Sequence, residues 1–180
     1  IDSSVDVLVR AKRSMEAYRA MLVFARHATD PRTRSDAVRR EAGDRLGRLA
    51  HKDELLDAVV EQACGDKGLA SVQASQVLIA IGSTAAARLV RSLENRKDAS
   101  RARVTQLLIA LGDAAIAQVV DELGSAQPER ARRAARLLGE MQNPKGVCFL
   151  ADALAGPDAS LARAAALSLA RIGDDAALQA

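Results

Sequence analysis

The chain has 180 residues with no tryptophan, one tyrosine and two phenylalanines, while 38 residues, about one in five, are alanine. Apolar residues at 49% and charged residues at 27% suit a folded soluble protein and exclude a disordered one, and no apolar run approaches the roughly 20 residues of a bilayer span. The net charge of +3 comes from 26 basic and 23 acidic side chains; residues 1–52 hold 12 basic and 7 acidic ones, yet nowhere do they form a polybasic tail.

The first predicted element is a long helix over 3–28 carrying Val5, Leu8, Met15, Tyr18, Leu22 and Ala25. Lys12 and Arg19 interrupt a strict seven-residue repeat, which argues against a coiled coil. A helix over 31–50 follows with Ala42, Leu46 and Leu49, but places Arg45 where the stripe wants an apolar residue. Residues 1–51 therefore read as a long helix with a degenerate or capping repeat, as terminal repeats often are.

From residue 52 a period sets in. Leu56, Val59, Val60 and Ala63 stand at i, i+3, i+4 and i+7; the spacing returns at Ala86, Leu89, Val90, Leu93, at Ile116, Val119, Val120, Leu123, and at Val147, Leu150, Ala151, Leu154. A second set interleaves: Ala74, Val77, Leu78, Ile81; Val104, Leu107, Leu108, Leu111; Ala134, Leu137, Leu138, Met141; Ala165, Ser168, Leu169, Ile172. Both sets shift by 30, 30 and 31 residues. Each quartet is one apolar stripe of an α-helix, so each unit holds two helices. First-type helices are predicted at about 52–64, 84–95, 114–124 and 145–155, second-type helices at about 31–50, 68–81, 99–111, 129–141 and 158–172.

The punctuation agrees. Gly82, Gly112 and Gly173 follow the last apolar residue of a helix, where a left-handed residue is wanted. Ser83, Asp113 and Asp174 come next, as candidate side-chain caps; Asn143-Pro144 does the same work in the third unit, where Gln142 replaces glycine. Pro31, Pro128, Pro144 and Pro157 are all expected at helix starts. A helix pair of this size cannot bury both stripes alone, so pairs must stack. The expected fold class is all-α, an α-solenoid of about five stacked antiparallel helix pairs, with 52–180 as the regular array. Both ends point to a piece cut from a longer protein: Ile1-Asp2-Ser3-Ser4 is neither a start methionine nor a signal peptide, and Asp174-Asp175-Ala176-Ala177-Leu178 reads as the opening of a further helix.

The joints Leu107-Leu108-Ile109-Ala110-Leu111-Gly112-Asp113-Ala114-Ala115 and Leu169-Ala170-Arg171-Ile172-Gly173-Asp174-Asp175-Ala176-Ala177 resemble those between short bacterial HEAT-like repeats, the type first named from phycobilisome lyases. Asp158-Ala159-Ser160-Leu161-Ala162-Arg163-Ala164-Ala165-Ala166 resembles the start of that family's second helix, with its habitual arginine. The resemblance covers about 52–180. It implies a scaffold, in which second helices line an inner, concave face; the family's name suggests bilin lyase chemistry only remotely.

The residues themselves offer little chemistry. Cys64 and Cys148 lie 84 positions apart inside helical patterns and read as small apolar core residues; with no signal segment, they favour a reducing, cytoplasmic setting. His51 falls in a turn and His27 near a helix end, and neither has a partner at metal-ligand spacing. Asp121-Glu122 and Asp174-Asp175 are neighbours that point apart on a helix or serve a cap. No phosphate loop or nucleophile elbow is present. The expectation is a non-catalytic module with no metal and no cofactor, and the alanine- and arginine-rich composition suggests a bacterial source.

Charge separates the helix types. Counted with their flanking residues, second-type helices (31–50, 67–81, 98–111, 128–141, 158–172) carry 15 basic and 7 acidic residues, first-type helices (52–65, 83–96, 113–124, 144–155) 5 and 9. A basic inner groove is therefore expected around Arg101, Arg103, Arg130, Arg132, Arg133, Arg136 and Arg163, attracting an acidic partner. The same arginines can instead pair with acidic residues of adjacent turns, and Arg130, Arg132 and Arg133 point in different directions around one helix. The leading function is protein–protein scaffolding, with another protein or a flanking domain as partner. The alternative is binding of a nucleic-acid backbone through the basic groove, against which stands the shortage of aromatic residues for stacking.

Overall fold

A computed structural model describes residues 14–32, 34–65, 68–95 and 98–173. Residues 3–13 of the expected helix over 3–28, the carboxylates Asp174-Asp175 and the final helix opening lie outside them. Ten α-helices run through the described residues: α1 (Ser14–Thr29), α2 (Asp36–Ala50), α3 (Asp53–Cys64), α4 (Leu69–Ile81), α5 (Ser83–Ser92), α6 (Asp98–Leu111), α7 (Asp113–Leu123), α8 (Pro128–Met141), α9 (Val147–Leu154) and α10 (Ala159–Ile172). No strand occurs among the described residues. Helices pack in neighbouring pairs, and the fold is all-α, of the α-solenoid class. Two compact units form, residues 1–107 and 108–180.

The stripes become the core. Val59, Val77, Leu78, Leu89, Val104, Leu108, Val119, Leu138 and Leu150 are fully buried, as a 3.6-residue apolar period requires once pairs stack. In the second unit α7 pairs with α8 and α9 with α10, and α8 lies along α10. These two run parallel, since Arg132 meets Ser160 at one end and Glu140 meets Arg171 at the other. Between those points a Cβ on Gly139 would lie 2.6 Å from the Ser168 Cβ. Ser168 occupies the place that Val77, Leu107 and Leu137 hold in the other repeats. Two small residues facing each other let these helices approach more closely than larger side chains would permit.

The first unit corrects one expectation about layers. Helix α2, expected from the sequence among the second-type helices, packs chiefly against α1, and α1 lies along α4 more extensively than α2 does. Tyr18 on α1 donates its hydroxyl to the Ala70 carbonyl of α4 at 3.2 Å. The exception at Arg45 also acquires a cause: its guanidinium sits 5.9 Å from the centre of the Phe24 ring and pairs with Glu41 at 2.5 Å. The long side chain thus covers an aromatic face while its charge reaches solvent.

At the joints, Gly82 (φ 75°), Gly112 (φ 54°) and Gly173 (φ 59°) adopt the positive φ expected of them. Ser83 and Asp113 do not cap, however. Gly82 and Gly112 themselves are the N-cap residues, so Ser83 and Asp113 fall inside the helix, and no side-chain cap bond forms. In the third repeat Gln142 takes the left-handed conformation (φ 48°, ψ 35°) and Asn143 caps Lys145 N, as the altered turn there suggests. Pro128 begins α8 and Pro144 a 3-10 turn, but Pro157 lies before the capping Asp158 and Pro31 in a turn well before α2, whose cap is Ser35. Cys64 is half-buried and Cys148 is exposed, with its thiol directed to the Lys145 carbonyl; the apolar-core reading fails for Cys148 because it stands on the outer side of the short helix α9.

Gly139→Val should destabilise the protein by roughly 1–3 kcal/mol by forcing α8 from α10, and Ser168→Gly should recover part of the loss in urea unfolding. Gln142→Gly should stabilise by about 0.5–1 kcal/mol, because the left-handed residue then carries no Cβ.

Candidate functional site

The seven arginines named from the sequence divide by what they hold. In the first unit Arg103, on α6, donates from Nε to the Ala63 carbonyl at 3.2 Å and from Nη2 to the Ser71 and Ser75 hydroxyls at 3.2 and 3.5 Å. Ser71, itself buried, donates to the same Ala63 carbonyl at 3.0 Å. One guanidinium thereby closes the C-terminal end of α3, where carbonyls lack helical partners, and ties it to α4. Arg101 and Arg130 are engaged as well.

In the second unit Arg132 donates from Nη1 to the Ser160 hydroxyl at 2.6 Å and pairs with Glu129 on its own helix. The Asp158 Oδ1 caps α10 by accepting from Ser160 N at 2.8 Å and Leu161 N at 3.2 Å, and it accepts from the Ser160 hydroxyl at 2.7 Å. Those bonds, led by the Ser160 hydroxyl, hold the Asp158 carboxyl below the usual carboxylate range. Arg133 and Arg136 on α8 and Arg163 on α10 have no ion pair or hydrogen bond among the described residues. Arg136 and Arg163 are exposed and Arg133 is half-buried.

A common register explains the division. The positions that second-layer helices turn outward recur at 69, 72, 76, then 99, 102, 106, then 129, 132, 136, then 160, 163, 167. In the first unit they hold Leu69, Val72 and Gln76, then Ala99, Ala102 and Gln106; in the second they include Glu129, Arg132, Arg136 and Arg163. Among the described residues, free positive charge on this register is confined to the second unit. Helix α4, with 13 residues and not one charged side chain, is the other departure; its lack of charge is visible in the sequence, but no arginine marks it there.

Carboxylates elsewhere hold neighbouring helices together. Asp113 accepts from Lys145 Nζ at 2.5 Å and Asn143 Nδ2 at 2.8 Å, and these bonds, led by that of Lys145, keep its carboxyl below the ordinary range. Arg88 bonds Asp57 through Nε at 2.5 Å and approaches Asp53 at 3.5 Å. Asp121 and Glu122 lie near the end of α7. His51 stands exposed in its turn, and His27 accepts on Nδ1 from Arg34 Nε at 2.7 Å. Among the described residues no group of three or more His, Cys, Asp or Glu is arranged to hold a metal ion, and no helix is long and apolar enough to cross a membrane.

Arg103→Met should cost about 1–3 kcal/mol by leaving a helix-end carbonyl and buried hydroxyls under-bonded, whereas Arg136→Glu and Arg163→Glu should stay within about 0.5 kcal/mol of wild type in denaturant titrations. Asp158→Asn should lower the melting temperature at neutral pH. Because the native carboxyl titrates below its unfolded value, that stabilisation is present above the unfolded pKa, about 3.9, and fades as pH falls through the lower native value; the two melting curves should converge in acid.

Residues 116–180 match the family model of HEAT repeats. No curated protein matches the chain in sequence. Among solved structures, human deoxyhypusine hydroxylase in complex with glycerol is similar at 21% identity and a TM-score of 0.41; the match covers 89% of this chain and 65% of that one. The chain thus spans less than two thirds of that protein's length. Residues 116–180 thus carry HEAT repeats, and the same helix-pair period runs back along the sequence to Leu56.

Proposed function

We propose that the chain is a non-catalytic docking module, and that Arg133, Arg136 and Arg163 of the second unit receive an acidic surface of another protein or of a flanking domain. HEAT repeats generally mediate protein interaction and scaffolding. The observation that carries the reading is the division among the arginines: Arg103 and Arg132 are committed to joining helices, while Arg133, Arg136 and Arg163 make no ion pair or hydrogen bond among the described residues. Side chains released from structural duty and sharing one sign raise the encounter rate of an oppositely charged partner, an effect that salt screens.

The test uses a polyglutamate peptide and a DNA duplex of matched charge as probes. Wild-type protein should bind the peptide with an affinity that falls steeply between low and physiological salt. The triple change Arg133→Glu, Arg136→Glu, Arg163→Glu should weaken it at least about tenfold at low salt. Unchanged binding in that variant would remove the arginines from the site, and preferential retention of the duplex would move the assignment to a phosphate backbone.

A further inference from the structure

Helices α1 and α4 of the first unit enclose a groove of about 840 Å³. Its walls include Leu22, Val23, Val77 and Ile79, and its rim carries Arg26 and Arg32. Val23 is 53% exposed and Ile79 44%, and the apolar surface continues along α4 through Val72 (51%) and Leu69 (74%). Scattered surface leucines and valines are ordinary. Here they are contiguous: Leu69, Val72, Gln76 and Ile79 follow one face of a helix that has no charged residue at all, while the opposite face, Ser71, Ala74, Val77 and Leu78, is already buried. Helix α4 thus has a buried face and, away from it, exposed apolar side chains with only neutral polar residues among them.

The lining says what covers it. The walls are two neighbouring helices, so the complementary shape is a third helix laid along their furrow, ridge into groove; no strand edge is offered. Along α4 the groove's lining runs from Gln73 to Ile79, about 9 Å at 1.5 Å per residue, and the exposed Leu69 and Val72 lengthen the same helix face to about 15 Å, enough for roughly three turns of a partner helix. Arg26 and Arg32 have no ion pair among the described residues, whereas Asp30, the acidic residue beside them, accepts from the Arg32 backbone N at 2.9 Å and is otherwise engaged. The remaining polar lining, Gln73, Gln76 and Thr29, is neutral.

We infer that the α1–α4 groove binds an amphipathic helix of a partner protein whose apolar stripe fills the furrow and whose flanking residues are acidic. This deepens the docking function proposed above and rests on it, since it assigns a second site of different chemistry on the other unit.

The experiment offers the full chain a set of 15-residue amphipathic helical peptides that share a Leu/Phe stripe and differ only in having Glu, Gln or Lys beside it. Glu peptides should bind at least about tenfold more tightly than Lys peptides. Val72→Glu with Ile79→Glu should abolish binding of every peptide; both residues are exposed, and a circular dichroism melt confirms that this variant folds. Arg26→Glu with Arg32→Glu should reverse the preference toward Lys peptides. The triple arginine variant of the second unit should leave peptide binding unchanged, which separates this site from the other. Binding that is indifferent to peptide charge, or that survives Val72→Glu with Ile79→Glu, overturns the inference. So does sedimentation showing that wild-type chains associate through this face and that the Val72→Glu, Ile79→Glu protein does not, because the occupant is then a second copy.

Discussion

A helix pair with an apolar stripe on each member can turn only part of that surface onto itself, and what remains must meet the next pair. That unsatisfied stripe is what makes one helix pair require another. It is served by the fully buried Val77, Leu78, Val104 and Leu108 in successive helices. It also fixes which residues may be large. Where α8 lies along α10, Gly139 and Ser168 leave room for backbone to approach backbone, and dispersion attraction among the surrounding alanines and leucines replaces what a larger pair would have supplied.

Close stacking places demands on the joints. Each pair must end one helix and begin the next within a residue or two, and a positive φ does this by letting one residue serve both. Gly82 donates to the Leu78 carbonyl behind it and accepts from Ala86 N ahead of it. Once glycine is the junction, the following side chain is no longer needed as a cap. Asp113, released from that duty, reaches Asn143 and Lys145 of the next joint. Gln142 shows the other solution. It accepts the left-handed conformation without being glycine, and its amide bonds the Arg171 carbonyl at 3.3 Å. Successive joints of the second unit are thus linked by polar contacts as well as by the core.

The helices and their stripes were legible in the sequence because a period repeated in two phases is produced by geometry and by little else. Leu56 to Ala63 and Ala74 to Ile81 needed no tertiary information to be placed on faces. The layer assignment of α2 was not legible, because which of two amphipathic helices neighbours α4 depends on packing between segments far apart in sequence, signalled here by Tyr18 reaching Ala70. Arg103 looked like its fellow arginines for the same reason: its partners Ala63, Ser71 and Ser75 lie some thirty to forty residues earlier. Cys148 was misplaced because α9 is short and its outer side is not set by the stripe. The apolar face of α4 has no charged residue to draw the eye, and a helix apolar on both sides reads in sequence like one that is wholly buried.

The repeat constrains its inward positions and leaves its outward ones almost unconstrained. At equivalent outward positions the first unit carries Leu69, Val72 and Gln76 while the second carries Arg132, Arg136 and Arg163, although the helices beneath bury the same quartets. A residue that contributes nothing to the core can change from valine to arginine at little cost to folding, so the sum of such choices reflects what touches the surface. Arg132 marks the boundary of that freedom. It stands on the outward register, yet its bond to Ser160, beside the Asp158 cap, draws it into holding α8 to α10. Charge at an outward position therefore becomes informative only after its bonds are traced: a committed arginine reports on the fold, and an uncommitted one on the partner.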